Sequence, residues 1–220
     1  MVQQLSLYAA TRSADVLLIT LESLTGMRPQ PMEQHTVVLR PKFPFRPEQK
    51  AGKINQIESY RIRMTRKGGA DDRELMSDLQ SPRWNNCIWT LQIADIPAAG
   101  KRPVLVQNLY ETTIVQADDI LGYMDELGYM PETEYWVRGV RFFYNDVIIE
   151  VFRVYHWKEQ QELLDPKYQV RCVVNVARLN DLDSVARGTK QLEALKTELS
   201  GLIELDLYER TSLDGRVNWN

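Results

Sequence analysis

Hydrophobic positions along this chain alternate with period two in most of its regular stretches and take a helical period in only three. VQQLSLYA, residues 2–9, alternates weakly and predicts a short strand. ADVLLITLESLTG then carries Val16, Leu17, Leu21 and Leu24 at helical spacing, with Ser13 as the expected N-cap and Gly26 placed to end the helix. After the proline-rich MRPQP, the β-branched residues of MEQHTVVLR favour a strand. The pattern vanishes near 41–59 and again near 67–83, which are expected to be irregular or mobile insertions. Between them, SYRIRMTRKGG puts Tyr60, Ile62 and Met64 on one side and Arg61 and Arg63 on the other, a half-buried strand with a basic outer face.

Further on, WTLQIADIPAAGKRPVLVQ and the following NLYETTIVQ read as strand, turn, strand. ADDILGYMDELGY is an acidic helix with Asp118 and Asp119 in the first turn, where the helix dipole favours them, and Gly128 at its end. ETEYWVRGVRFFYND and VIIEVFRVYHW are two β-rich runs joined at Asn145-Asp146, the signature of a two-residue hairpin. KYQVRCVVNVARL adds a strand. Asp183 or Ser184 is positioned to cap a last helix over 185–199, which stops near Gly201. LIELDLYE reads as a final strand with Ile203, Leu205 and Leu207 on one face. LGYM occurs twice, once in the acidic helix and once at the turn into the next strand. About eight or nine strands and three helices, with short turns between neighbouring strands, predict a mainly antiparallel sheet, closed or strongly curled, with helices packed outside it.

Composition narrows the function classes. The 220 residues are 44% apolar and 26% charged, an ordinary globular balance for one domain over 1–220. A formal charge of −3 argues against global attraction to nucleic acid. No apolar run approaches the ~20 residues of a membrane-spanning helix, and the opening MVQQLSLYAA has no basic, apolar leader pattern. The two cysteines, Cys87 and Cys172, form no CxxC and point to a reducing compartment rather than a disulfide framework.

Catalytic motifs are hard to place. A phosphate-binding loop at Gly100-Lys101 would need a glycine where Asp95 stands, Ser or Thr where Arg102 stands, and a following helix where Pro103 leads into a strand. The segment is read instead as a turn. No GxSxG is present, and His35 and His156 fall on strands or strand ends without a nearby nucleophile. Cys87 and Cys172 suit core or near-core positions. One enzymatic pattern stands: Glu132 with Glu134, and Glu204 with Asp206, would each share a strand face, as in barrels that hold divalent metal for triphosphate hydrolysis. The plainer reading makes these solvated faces. No catalytic, cofactor-binding or metal-ligating residue is assigned.

Two charge asymmetries are stronger signals. Residues 40–67 hold nine basic side chains and two acidic ones, and residues 117–134 hold six acidic and none basic. Arg61, Arg63, Arg66 and Lys67 could touch phosphates, but the stretch lacks the interleaved aromatics of a stacking platform, so protein contact or solvation is expected over direct nucleic-acid binding.

MVQQLSL at the start, WTLQIADIPAAG in the middle, LGY and RGVRFF further on, and ELSGLIELDLYERTSLDGRV near the end together resemble subunit 18 of the Mediator complex. The pieces run in order over nearly the whole chain; only 41–59 and 67–83 depart from the family. The resemblance implies a non-catalytic component of the Mediator head module in the nucleus, linking activators to RNA polymerase II. It implies a many-stranded antiparallel barrel similar to the metal-dependent RNA triphosphatases. It also implies pairing with Mediator subunit 20 and a hold on a C-terminal helix of Mediator subunit 8; the short apolar runs already give no expectation of a membrane partner. A metal-dependent triphosphatase of the tunnel-barrel type is the alternative. A scaffold should have an apolar or plugged barrel interior, and a tunnel enzyme several inward carboxylates and basic groups.

Overall fold

A computed structural model describes residues 1–43, 59–68, 87–156, 161–165, 167–177 and 181–217. Most of the two patternless insertions lies outside these residues. The alternating segments form eight strands: β1 (Val2–Thr11), β2 (Gln30–Pro41), β3 (Ile62–Lys67), β4 (Trp89–Ala94), β5 (Leu105–Ile114), β6 (Tyr129–Tyr144), β7 (Val147–His156) and β8 (Tyr168–Val176). Three α-helices join them: α1 (Asp15–Thr25), α2 (Ile120–Glu126) and α3 (Leu182–Glu198). Every ladder is antiparallel, and the order β1-β5-β4-β3-β2-β6-β7-β8 closes back on β1 as a barrel.

Local signals explain many of the junctions. Gly26 ends α1 in the left-handed region at φ 66°, and its N–H donates to the Glu22 carbonyl. Asn145, at φ 54°, and Asp146 make the two-residue β6–β7 turn that pairs Tyr144 with Val147. The caps differ from expectation. Ala14, not Ser13, occupies the N-cap of α1, without a side-chain bond. Asp119 is itself the N-cap of α2, accepting from Gly122 N at 2.8 Å, rather than a first-turn residue. Asp181, not Asp183 or Ser184, caps α3, which begins earlier than its apolar period suggested. LIELDLYE forms no strand: only Asp206 bridges, to Tyr8, while Ile203 and Leu205 are buried and Leu207 is exposed.

The two apolar cores lie outside the barrel wall. Leu17 and Leu21 of α1, and Leu192 and Leu195 of α3, pack on Leu5, Leu7, Ile149, Cys172 and Val174. Val16 was expected on this face but is 63% exposed. On the other side Ile120 and Met124 of α2 join Val37, Met64, Trp89 and Trp136. Gly188 lets α3 sit against the wall, since a Cβ there would meet Val174 and Leu5 carbons at 2.8 and 2.9 Å. In most strands the apolar face turns outward to the helices and the polar face inward; β7 is apolar on both, sending Ile148, Phe152 and Val154 inward beside Glu150.

Candidate functional site

The inward faces enclose a cavity of about 600 Å³. Its charges are arranged in two rows that follow the strand register. In the first, Arg141 of β6 stands opposite Glu150 of β7, which stands opposite Arg171 of β8. Glu150 Oε1 accepts from Arg141 Nη2 at 2.6 Å, and Oε2 accepts from Arg171 Nε at 2.8 Å. Burial by itself would raise the Glu150 carboxyl, but the two guanidiniums outweigh it and hold the group below its ordinary value. In the second row, Arg63 of β3 donates to Gln92 of β4 at 3.2 Å, and Gln92 donates to Glu111 of β5. Three arginines therefore face two glutamates in the lumen, and each charge is engaged by the neighbouring strand.

The interior is thus mixed, its charged rows set among Val137, Ile148, Phe152, Val154 and Val173, where a scaffold was expected to have an apolar or plugged one. One end is nevertheless crossed by the C-terminal segment 206–217. Asp206 pairs with Tyr8 through both backbone groups, the Leu213 carbonyl accepts from Gln107 Nε2 at 3.0 Å, and the Gly215 carbonyl accepts from Arg61 N at 2.7 Å. Leu213 lines the cavity. Within the crossing segment, Asp214 is drawn below its ordinary value by hydrogen bonds from Arg216.

The acids read as paired rows fall elsewhere. Glu134 turns to the outer face and binds His35 at 2.6 Å. Glu132 lies beside the register shift opposite Val38 and Leu39 and binds Arg61 at 2.6 Å. Glu204 accepts from Gly201 N, and Asp206 pairs with Lys196. None of the four lines the cavity, so the arrangement cannot form the inward carboxylate row that a tunnel enzyme requires. Sequence reasoning passed over Glu150, Arg141 and Arg171. A signal was there in YQVRCVVNV, where Gln169, Arg171 and Asn175 share one parity, but not in VIIEVFRV, where Glu150 shares its face with Ile148, Phe152 and Val154.

The basic cluster is dispersed in the same way. Arg61 is held by Glu132, which raises its guanidinium further above its ordinary value, and Arg63 faces the lumen rather than an outer basic surface. Arg66 is buried on the outer face, its guanidinium 5.5 Å from the Trp136 ring and 5.8 Å from Trp89. Lys67 remains exposed. The two oppositely charged sequence regions meet because β2 runs antiparallel to β6. Lys42 pairs with Asp125 and Arg61 with Glu132, and His35, which precedes the basic region on β2, binds Glu134.

His35 is fully buried and stacks on Trp136 at 4.8 Å. Arg66 Nε donates to His35 Nδ1 at 3.2 Å, so Nδ1 must accept, and Nε2–H donates to Glu134. Cys172 is buried in β8 and its thiol is pushed up to about 12 by burial, the reverse of an activated nucleophile. Cys87 is half-buried, and both cysteines are free thiols. The Ala94–Leu105 connection holding Gly100 and Lys101 is a ten-residue loop rather than a tight turn, with Gly100 at φ 103° and Lys101 and Arg102 exposed. No helix follows it.

Comparison with known proteins adds to this geometry. The profile of the family described as Med18 protein matches residues 3–216. Mediator of RNA polymerase II transcription subunit 18 from Yarrowia lipolytica is 32% identical over 231 aligned positions, covering 98% of this chain and 99% of that protein. Among solved structures, a chain of the Schizosaccharomyces pombe Mediator head module superposes with a TM-score of 0.70 at 16% identity, covering 94% of this chain and 98% of its own. A putative adenylate cyclase from Vibrio parahaemolyticus shares the fold more loosely, with a TM-score of 0.51 at 11% identity over 99% and 94% of the two chains.

Proposed function

The chain belongs to the Med18 family, and from that premise we propose that it is a non-catalytic subunit of the nuclear Mediator head module, a coregulator of RNA polymerase II transcription. The observation that carries the reading is the match over residues 3–216, nearly the whole chain and the whole of the Yarrowia relative. The lumen carries inward glutamates and arginines of the kind expected of a tunnel enzyme, but each of these described side chains is engaged across the ladder.

In this reading the barrel pairs with Mediator subunit 20 and holds a C-terminal helix of Mediator subunit 8 by laying the helix's apolar anchors on its surface. Coexpression tests it. The purified chain is expected to capture a subunit 20 homologue and a subunit 8 C-terminal peptide, and capture of neither overturns the assignment. Phosphate release from triphosphate substrates with Mg²⁺ or Mn²⁺, abolished by Glu111→Gln in the lumen, would instead establish the tunnel-enzyme alternative.

A further inference from the structure

The charged row on β6, β7 and β8 presents unequal groups to the lumen. Arg141 and Arg171 converge on the one Glu150 carboxylate, each through Nε and Nη2. Among the described residues nothing accepts from Nη1 of either arginine. Glu150 is 3% exposed, whereas the two arginine side chains are 33% and 32% exposed. The carboxylate therefore lies behind the guanidiniums, and the lumen meets their outer edges. Tyr8 extends the row, opposite Arg171 in the β1–β8 ladder and lining the same cavity. Arg63, Arg141 and Arg171 against Glu111 and Glu150 leave one positive charge in excess among the described lining residues. Arg63 is met by the neutral amide of Gln92 rather than by a carboxylate.

The wall around this row is apolar. Ile148, Phe152 and Val154 of β7, Val137 of β6 and Val173 of β8 line the cavity beside it. Across the barrel, Thr36, Thr65 and Thr90 are successive register partners on β2, β3 and β4 and form an uncharged hydroxyl wall. The cavity of about 600 Å³ falls within the roughly 300–1,000 Å³ of small-molecule sites, which pair an apolar lining with a few convergent polar groups. Guanidinium edges match the geometry of a carboxylate. A purely apolar guest would bury those edges without an acceptor, at a cost in free energy. One excess positive charge balances a single carboxylate, but leaves the several negative charges of a triphosphate largely unneutralised.

We propose that the lumen binds a small amphipathic carboxylic acid, its carboxylate accepting from the guanidinium edges of Arg141 and Arg171 that Glu150 leaves free, and its apolar body lying on the inward faces of β6, β7 and β8. The site goes beyond the assembly reading and does not depend on it. The acid is held as a ligand, with no bond made or broken. Burial of its apolar body supplies affinity, and the arginines select the acid over its neutral analogues. Glu150 stays behind the arginines and keeps both charges paired when the site is empty.

The test is a titration of the isotope-labelled full-length chain with octanoate, followed by NMR at the Arg171 Nε–H and the Ile148 and Val154 methyl groups. Octanoate is expected to shift all three signals saturably. Octanol, which has the same apolar body without the charge, is expected to bind about tenfold more weakly. Arg171→Lys should weaken octanoate about tenfold and narrow its advantage over octanol. Tripolyphosphate without metal is expected neither to shift these signals nor to displace octanoate. Equal affinity for octanol overturns the carboxylate assignment. Displacement of octanoate by tripolyphosphate overturns the choice of a monoanion in favour of a polyanion. Shifts confined to outer-face residues such as the exposed Val16, or no saturable shift below about 1 mM, overturn the lumen site altogether. If Arg171→Lys fails to fold, the comparison of octanoate with octanol on the unaltered chain decides. None of these outcomes bears on capture of the assembly partners, which the coexpression experiment reads separately.

Discussion

Glu150 on β7 and Arg171 on β8 stand directly opposite one another in the ladder, with Arg171 Nε donating to Glu150 Oε2 at 2.8 Å inside the barrel. Arg141 closes the carboxylate from the other neighbouring strand. A charged row set across three adjacent strands ties the wall to its own lumen. The barrel interior therefore acts as an electrostatic core, while the hydrophobic cores lie outside it.

Replacing Glu150 by Gln leaves two inward guanidiniums without their shared counter-charge. Loss of about 3 kcal/mol is expected, the low end for breaking a buried pair, because both arginines remain about one-third exposed on the lumen side. The carboxyl is depressed in the folded state, so its contribution is complete above the unfolded carboxyl value and fades as pH falls toward the folded one. Urea titrations should show the unaltered chain losing stability below about pH 4.5 more steeply than E150Q. Parallel pH profiles would refute the assignment.

Gly139 pairs with Phe152 in the β6–β7 ladder, and an added Cβ would lie 2.1 Å from the Val151 carbonyl and 2.6 Å from the Phe152 Cα. Both obstacles are backbone and cannot swing aside. Gly139→Ala is expected to cost about 3 kcal/mol, the upper range for overpacking. A thermal melt within a degree of the unaltered chain would show that the ladder relaxes there.

His35 is required to be neutral at Nδ1, since the arginine Nε facing it can only donate. Nitrogen NMR of the folded chain should show Nδ1 as the unprotonated ring nitrogen and Nε2 as the protonated one. Arg66→Gln should relax that preference. The opposite tautomer in the unaltered chain would break the proposed order from Arg66 through His35 to Glu134.

Much of the fold is legible in the sequence because its signals are local. Period-two runs produced the strands from Val2 to Val176, Gly26 ended its helix, and Asn145-Asp146 made the hairpin. The helix starts at Ala14 and Asp181 escaped because the cap is set by where the chain leaves its neighbours, and the apolar period only begins later. Asp206 reads as strand in sequence, yet its segment finds only a bridge to Tyr8, since a strand needs a continuous partner.

By itself the sequence determined the alternation, the turns, the family and the sorting of each strand's residues into two faces. It could not say which face is inside. Alternation is symmetric, and only barrel closure with α1, α2 and α3 on the outside turned the apolar faces outward and the charged rows inward. The same tertiary pairing of β2 with β6 brought the basic region beside the acidic one, so that Lys42 meets Asp125 and Arg61 meets Glu132 although each pair is far apart in the chain.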